Sequence, residues 1–304
     1  MGADAGIAPI SRAGVRGFLE RHGLRPNPRL GQNFLVDATM AERLAAAAGV
    51  SPDDTVVEIG PGLGQLTLAL AKRARRVVAI EVDAGLVRAL RSEALLPDNV
   101  ELVHGDVLDV DLEAIVASVE GPVRLVANLP YSVTGPLLRC VFDLREALED
   151  WSVMVQSEVA DRLVATAGTR DYSSLTVLHH SAVRVDRKLG ISPNHFYPVP
   201  KVRSSFLRLT PIDDPIVTPA EMAGFEIVVR AAFSTRRKTL ANALRGGLDP
   251  PVAAEDVRAA LAAAGVDAGV RAEVLTAPQF ATFVAELRTR GWRPRADGRS
   301  GAEA

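Results

Sequence analysis

Cysteine occurs once in 304 residues, at Cys140, which excludes an intramolecular disulfide framework and a cysteine-based zinc site. A lone thiol suits a reducing compartment, and a cytoplasmic location is expected. No run approaches the ~18 apolar residues of a membrane span. The opening MGADAGIAPI has neither a basic start nor an apolar stretch, so no secretory signal is expected. Gly6 stands where a myristoylation pattern needs Ser or Thr. Neither sign of charge dominates: Lys+Arg number 35 against 37 Asp+Glu, a net charge of −2. Taken globally, that balance argues against a nucleic-acid binder. Lysine is scarce, four of the 35 basic residues, and we read the Arg and Ala bias as that of a GC-rich genome.

Hydrophobic residues at 48% and charged residues at 24% describe a soluble globular chain, with length for about two domains. Locally the charge is not even. Basic residues gather at Arg25 and Arg29, at Lys72-Arg73-Arg75-Arg76, at Arg236-Arg237-Lys238 with Arg245, and at Arg293, Arg295 and Arg299. Each cluster taken alone reads first as a solvated helix face.

The apolar spacing predicts helices over 11–22 and 37–48, the second carrying Met40, Leu44 and Ala47 on one face. Short β-rich runs then alternate with helices: strands at 55–59, 77–80, 100–103 and 123–127, and helices from Leu63 and after Asp83. That alternation predicts an α/β fold with a parallel sheet. Beyond Trp151 we expect a strand at 153–156, a helix at 158–165, and an edge pair of strands at 183–189 and 205–209. Pro211, Pro215 and Pro219 mark a linker. Residues 220–290 read as helical and the last residues as a disordered tail. The expected domains are 1–211, 212–290 and a tail over 291–304.

Gly60-Pro61-Gly62-Leu63-Gly64 ends the first strand and opens a helix. Glycines there let a ligand approach the backbone beside the free N–H groups of a helix start. A dinucleotide fold needs G-x-G-x-x-G, yet the third position is Gln65 counted from Gly60 and Thr67 counted from Gly62. The G-x-G-x-G turn is instead similar to that of S-adenosylmethionine-dependent methyltransferases. Glu81 stands 21 residues after Gly60 at the end of the next strand, where a carboxylate accepts from a ribose diol. Asp106 ends the third strand and is placed to accept from the exocyclic amine of an adenine; its structural alternative is helix capping.

Asn128-Leu129-Pro130-Tyr131 ends the fourth strand and resembles motif IV of the amino-methyltransferases. The amine of adenine is a poor nucleophile because its lone pair is delocalised into the ring. Two acceptors, the Asn128 side chain and the Leu129 carbonyl, hold its two hydrogens and favour a pyramidal nitrogen. Pro130 rigidifies the turn. Tyr131 offers a stacking surface worth ~1–3 kcal/mol to a base flipped out of its stack.

With Gly31-Gln32-Asn33-Phe34-Leu35, Glu58 to Gly64, Asn128 to Tyr131, Phe196 to Ser204 and Ala232 to Leu240, the chain resembles the KsgA/RsmA family of ribosomal RNA adenine N6,N6-dimethyltransferases. The resemblance implies a Rossmann-like S-adenosylmethionine-dependent methyltransferase fold with a small C-terminal all-helical domain. It implies a cofactor site of Asn33, Leu35, Gly60, Glu81, Asp106 and Asn128, with Asn128, Leu129, Tyr131 and Phe196 holding the adenine. It implies RNA contacts by Arg236, Arg237 and Lys238. The substrate implied is two adjacent adenosines in the 3′-terminal hairpin loop of small-subunit (16S) rRNA, in the immature 30S subunit. A monomer, with no metal and no membrane partner, is expected. Three departures are visible: Ser132 where the family usually has Asn or His, Ser234-Thr235 for Asn-Gln, and Arg203 for Asp. The readings left open are an Erm-type enzyme of large-subunit RNA, a noncatalytic assembly factor, and a dinucleotide oxidoreductase. His179-His180 lacks a cysteine partner and the H-E-x-x-H spacing, so it is not read as a metal site. Cys140 is expected to be a buried, inert thiol.

Overall fold

The computed structural model describes residues 10–128, 134–235 and 237–294. Helix α1 (Arg12–Arg21) is capped by Ser11, whose hydroxyl accepts from the Gly14 amide. Strand β1 (Phe34–Leu35) precedes α2 (Ala38–Ala47), capped by Asp37. Then the chain alternates: β2 (Thr55–Ile59), α3 (Gln65–Ala71), β3 (Arg76–Glu81), α4 (Ala84–Ser92), β4 (Val100–His104), α5 (Leu112–Ala117), β5 (Val123–Asn128), α6 (Thr134–Asp143) and β6 (Asp150–Gln156). After α7 (Ser157–Leu163) and α8 (Ser174–His180) come β7 (Val183–Ile191), β8 (Phe196–Tyr197) and β9 (Ser204–Pro211).

Seven strands form one sheet in the order β4-β3-β2-β5-β6-β9-β7. From β4 to β6 neighbours run parallel, and β9 joins β6 antiparallel. The parallel β2 is buried along its whole length, as a strand covered on both faces must be. Chain order reverses between β2 and β5, a topological switch point whose crevice lies at the carboxyl ends of the strands. Leu44, Leu70, Val56 and Val77, all fully buried, belong to the core cluster that joins α2 and α3 to the sheet. The first unit of the fold runs to Ala160 and takes in Val185–Pro211.

Within that unit the start of β5 carries a buried ion network. Arg124 donates to Asp54 at 2.7 Å and to Asp150, and Arg208 donates to Asp150 at 2.6 Å. Two carboxylates and two guanidiniums balance, yet burial still pushes the Asp150 carboxyl above its usual range.

The second unit combines Asp161–Arg184 with the residues from Ile212 onward. Residues 161–184, read from sequence as part of the first domain, thus group with the helices. Besides α8, its helices among the described residues are α9 (Pro219–Phe233), α10 (Leu240–Gly247), α11 (Ala254–Ala263) and α12 (Ala277–Thr289). Phe225, Phe280 and Phe283 are buried, and the Tyr172 hydroxyl donates to the Leu275 carbonyl at 2.8 Å. Ordered packing continues to Trp292, 5% exposed, whose indole N–H donates to Pro250; the sequence reading ends this domain at residue 290. Cys140 lies within α6 and is half-buried rather than enclosed, and burial raises its thiol pKa.

Candidate active site

The turn after β2 is built by glycines in the left-handed region. Gly60, Gly62 and Gly64 have φ of 73°, 58° and 78°. At Gly62 space adds to conformation: a Cβ there would stand 3.0 Å from the Phe34 ring. The turn leads directly into α3, and its own amides are used within the protein: Gly60 donates to the Ile80 carbonyl at 3.0 Å and Gly64 to the Pro61 carbonyl at 2.9 Å. Glu81, 4% exposed at the end of β3, supports it from beside. One carboxylate oxygen accepts from the Gly62 amide at 3.0 Å and the other from Asp83 at 2.9 Å. Burial nevertheless raises the Glu81 pKa. Asp83 caps α4 through Gly85 and Leu86, as the sequence suggests.

A single pocket gathers these groups. Asn33, Leu35, Gly60, Glu81, Asp106, Asn128 and Phe196 all line it. Every described residue that the sequence reading assigned to cofactor or adenine therefore faces one space. Its empty volume of about 1170 Å³, open mouth included, admits a nucleoside-sized ligand. Asp106 is exposed at the mouth, with one oxygen accepting from the Leu108 amide at 3.0 Å, a turn contact rather than a helix cap. Phe196 is 2% exposed and belongs to the core cluster, so its ring is part of the wall. Leu129 and Tyr131 lie outside the described residues, as does Arg236. Arg237 and Lys238 are exposed in the second unit.

Two lining residues were not foreseen as functional. Gln32 donates to Asp83 at 2.9 Å and accepts from the Asn27 amide at 2.8 Å, which fastens the segment 31–35 beside Glu81. Its signal was present in the motif but silent about role. Glu58 is the other. It is 1% exposed, and its Oε2 has no hydrogen-bond partner among the described residues. Desolvation pushes its pKa up to about 8, with the neighbouring Glu81 charge adding to the shift. In sequence Glu58 is one residue of an apolar run, and only the burial of β2 on both faces reveals it.

The donor set tests which cofactor fits. Glu81 and Asp106 stand against one guanidinium, Arg29, in the lining, with Glu58 beside them as an acid that burial favours in its neutral form. Such a wall opposes a pyrophosphate and suits a ligand carrying cationic groups, as S-adenosylmethionine does with its sulfonium and ammonium. A buried carboxyl with an unpartnered oxygen is also what a cationic ligand satisfies on arrival. Among the described residues no group of His, Cys, Asp and Glu is arranged to hold a metal ion.

Residues 23–288 match the ribosomal RNA adenine dimethylase family. The chain belongs to this family. "Ribosomal RNA small subunit methyltransferase A" of Streptomyces avermitilis is 43% identical over 95% of this chain and 97% of that protein. The protein of the same name from Magnetococcus marinus is 41% identical over 88% of this chain and 94% of its own length. Among solved structures, a dimethyladenosine transferase from Plasmodium falciparum shares the fold, with a TM-score of 0.72, 23% identity, and coverage of 85% of this chain and 98% of that one. The 23S rRNA methyltransferase ErmE gives a TM-score of 0.64 at 28% identity, over 84% of this chain and 100% of that one. Family membership establishes the enzyme class, an S-adenosylmethionine-dependent rRNA adenine dimethyltransferase, and the Rossmann-like fold with its helical C-terminal region.

Proposed function

We propose that the protein dimethylates N6 of two adjacent adenosines in the 3′-terminal hairpin loop of small-subunit (16S) rRNA, four transfers per RNA. The reading further places it in the cytoplasm, acting as a monomer on the immature 30S subunit. The observation that carries the reading is the convergence of Gly60, Glu81, Asp106 and Asn128 on one acidic pocket at the switch point. Relatives at about 40% identity named for the small subunit favour that substrate over the large-subunit RNA of the more distant ErmE. No helix of the described residues is long and apolar enough to cross a membrane.

S-adenosylmethionine, when bound, supplies an electrophilic methyl on a sulfonium. Glu81 takes the ribose diol on the lone pairs that Gly62 and Asp83 leave free, and Asp106 accepts from the adenine amine of the cofactor. Asn33 and Leu35 close the N-terminal side. Asn128 and the Leu129 carbonyl accept the two N6 hydrogens of the target adenine and aim its lone pair at the methyl. Tyr131 stacks on the target base, and Phe196 backs the same space. No residue need act as a general base, because the methylated nitrogen sheds its proton to water afterwards. The rate gain rests on orientation and electrostatics. Arg236, Arg237 and Lys238 hold RNA phosphates, and the near-neutral net charge limits nonspecific binding.

Mass spectrometry of small-subunit rRNA from cells lacking the protein tests this reading. Loss of both dimethyladenosines supports it. Their retention, or loss of a mark on large-subunit RNA instead, overturns it.

A further inference from the structure

The segment from Gly31 to Leu35 forms one wall of the pocket. At its start, Gln32 holds it to Asp83. At its end, Leu35 pairs with Phe196 and Phe34 with Tyr197 across the two-stranded β1–β8 ribbon. The Val36 amide donates to the His195 carbonyl at 2.9 Å. Asp37 then uses both carboxylate oxygens. Oδ1 caps α2 by accepting from the Met40 amide at 2.9 Å, and Oδ2 accepts from His195 Nδ1 at 2.8 Å. Met40 and His195 together hold the Asp37 carboxyl below its usual range. A two-residue ribbon has little stability of its own. The side-chain bond closes it at the end where the wall turns away into α2.

We infer that His195 is a positioning residue: its bond to Asp37 latches the cofactor-side wall, residues 31–35, to the segment that carries Phe196. The inference rests on the proposed reading of the pocket as the cofactor site. The latch makes no contact with the reacting atoms. It acts by lowering the entropy that the wall loses when cofactor binds, so its effect falls on cofactor affinity more than on turnover.

Four variants separate this from a general structural role. Asp37→Ser keeps a capping oxygen for α2 but has no second one for His195. His195→Ala removes the donor, His195→Asn replaces an N–H near the Nδ1 position, and the double variant His195→Ala with Asp37→Ser closes the cycle. Isothermal titration with S-adenosylmethionine gives Kd, and steady-state assays on undermethylated small subunits give KM and kcat. His195→Ala and Asp37→Ser are each expected to raise Kd and KM about three- to tenfold, with a smaller fall in kcat. The double variant should be no worse than either single one, and His195→Asn should recover most of the affinity. If His195→Ala fails to fold, Asp37→Ser carries the test. Unchanged Kd in Asp37→Ser, additive losses in the double variant, or His195→Asn as weak as His195→Ala would overturn the latch. If the wild-type protein bound S-adenosylmethionine but methylated no small-subunit RNA, the substrate reading alone would fail, and the calorimetric comparison would still judge the latch.

Discussion

Asn128 emerges beside Gly60. The parallel pairing of β2 and β5 sets Ile59 opposite Ala127, so the next residue of each strand enters the crevice together. The Asn128 carbonyl oxygen lies 3.4 Å from where a Cβ on Gly60 would stand. The glycine turn and the strand end proposed to hold the amine are thus neighbours through sheet register rather than through sequence proximity.

Gly60→Ala tests this adjacency. A φ of 73° costs a non-glycine residue about 1–2 kcal/mol, and the added methyl would stand in van der Waals contact with the Asn128 carbonyl at 3.4 Å. Expected is a loss of S-adenosylmethionine affinity of about tenfold by calorimetry, with a lowered Tm. Wild-type affinity in this variant would mean that the turn does not meet the cofactor.

Glu81 serves two masters, the turn and the proposed ribose. Glu81→Ala leaves the partly buried amides of Gly62 and Asp83 without this acceptor as well as removing the proposed ribose acceptor. Hydrogen bonds to a charged group contribute about 1.5–3 kcal/mol each, so affinity should fall by tenfold or more. Glu81→Gln keeps one acceptor oxygen and should sit between the two in both affinity and Tm. Equal affinity in all three proteins would remove Glu81 from the cofactor site.

Glu58 sets a pH dependence of stability. Its pKa is about 8 in the fold and near 4.5 in the unfolded chain. Between those values the folded state binds more protons, so stability falls as pH rises, by at most about 1.4 kcal/mol per pH unit. The contribution is fully present below pH 4.5 and lost above about 8. Glu81, whose pKa is also raised, acts in the same direction. Glu58→Gln mimics the neutral acid, so urea titrations should show the variant gaining on wild type from pH 5 to 8 and levelling above. A constant difference across that range would mean that Glu58 is ionised in the fold.

Much of this was legible in sequence because the signals were local. The 3.6-residue spacing of Met40, Leu44 and Ala47 marks α2, and the runs at 55–59 and 123–127 mark β2 and β5 within one residue at each end. The ribbon of β1 and β8 was not legible, because Phe34 meets Tyr197 from far along the chain and two residues carry no periodicity. Helix α8 was missed for a related reason: its face packs within a helical unit to which its position before β7 gave no clue. Glu81, Asp106 and Asn128 stood out as polar residues at strand ends. Glu58 did not, since its significance comes from burial between two neighbouring strands.

Arg237→Ala with Lys238→Ala should weaken RNA binding and leave S-adenosylmethionine affinity intact. Both side chains are exposed, in the unit that does not contain the pocket. Each lost phosphate contact should lower the slope of log K against log salt by about 0.7–0.9. An unchanged slope in filter-binding titrations would show that these cations do not touch the RNA backbone.

The central claim is methyl transfer to small-subunit rRNA with Asn128 holding the amine, and a purified reaction tests it most directly. Undermethylated 30S subunits are incubated with labelled S-adenosylmethionine and either wild-type protein or Asn128→Ala. The label is then located by nuclease digestion and mass spectrometry. The account predicts four methyl groups on two adjacent adenosines of the 3′-terminal hairpin with wild type. With Asn128→Ala it predicts a rate at least a hundredfold lower, in line with the steep cost of misplacing a reacting atom. Label on another RNA, or full activity in Asn128→Ala, would contradict it.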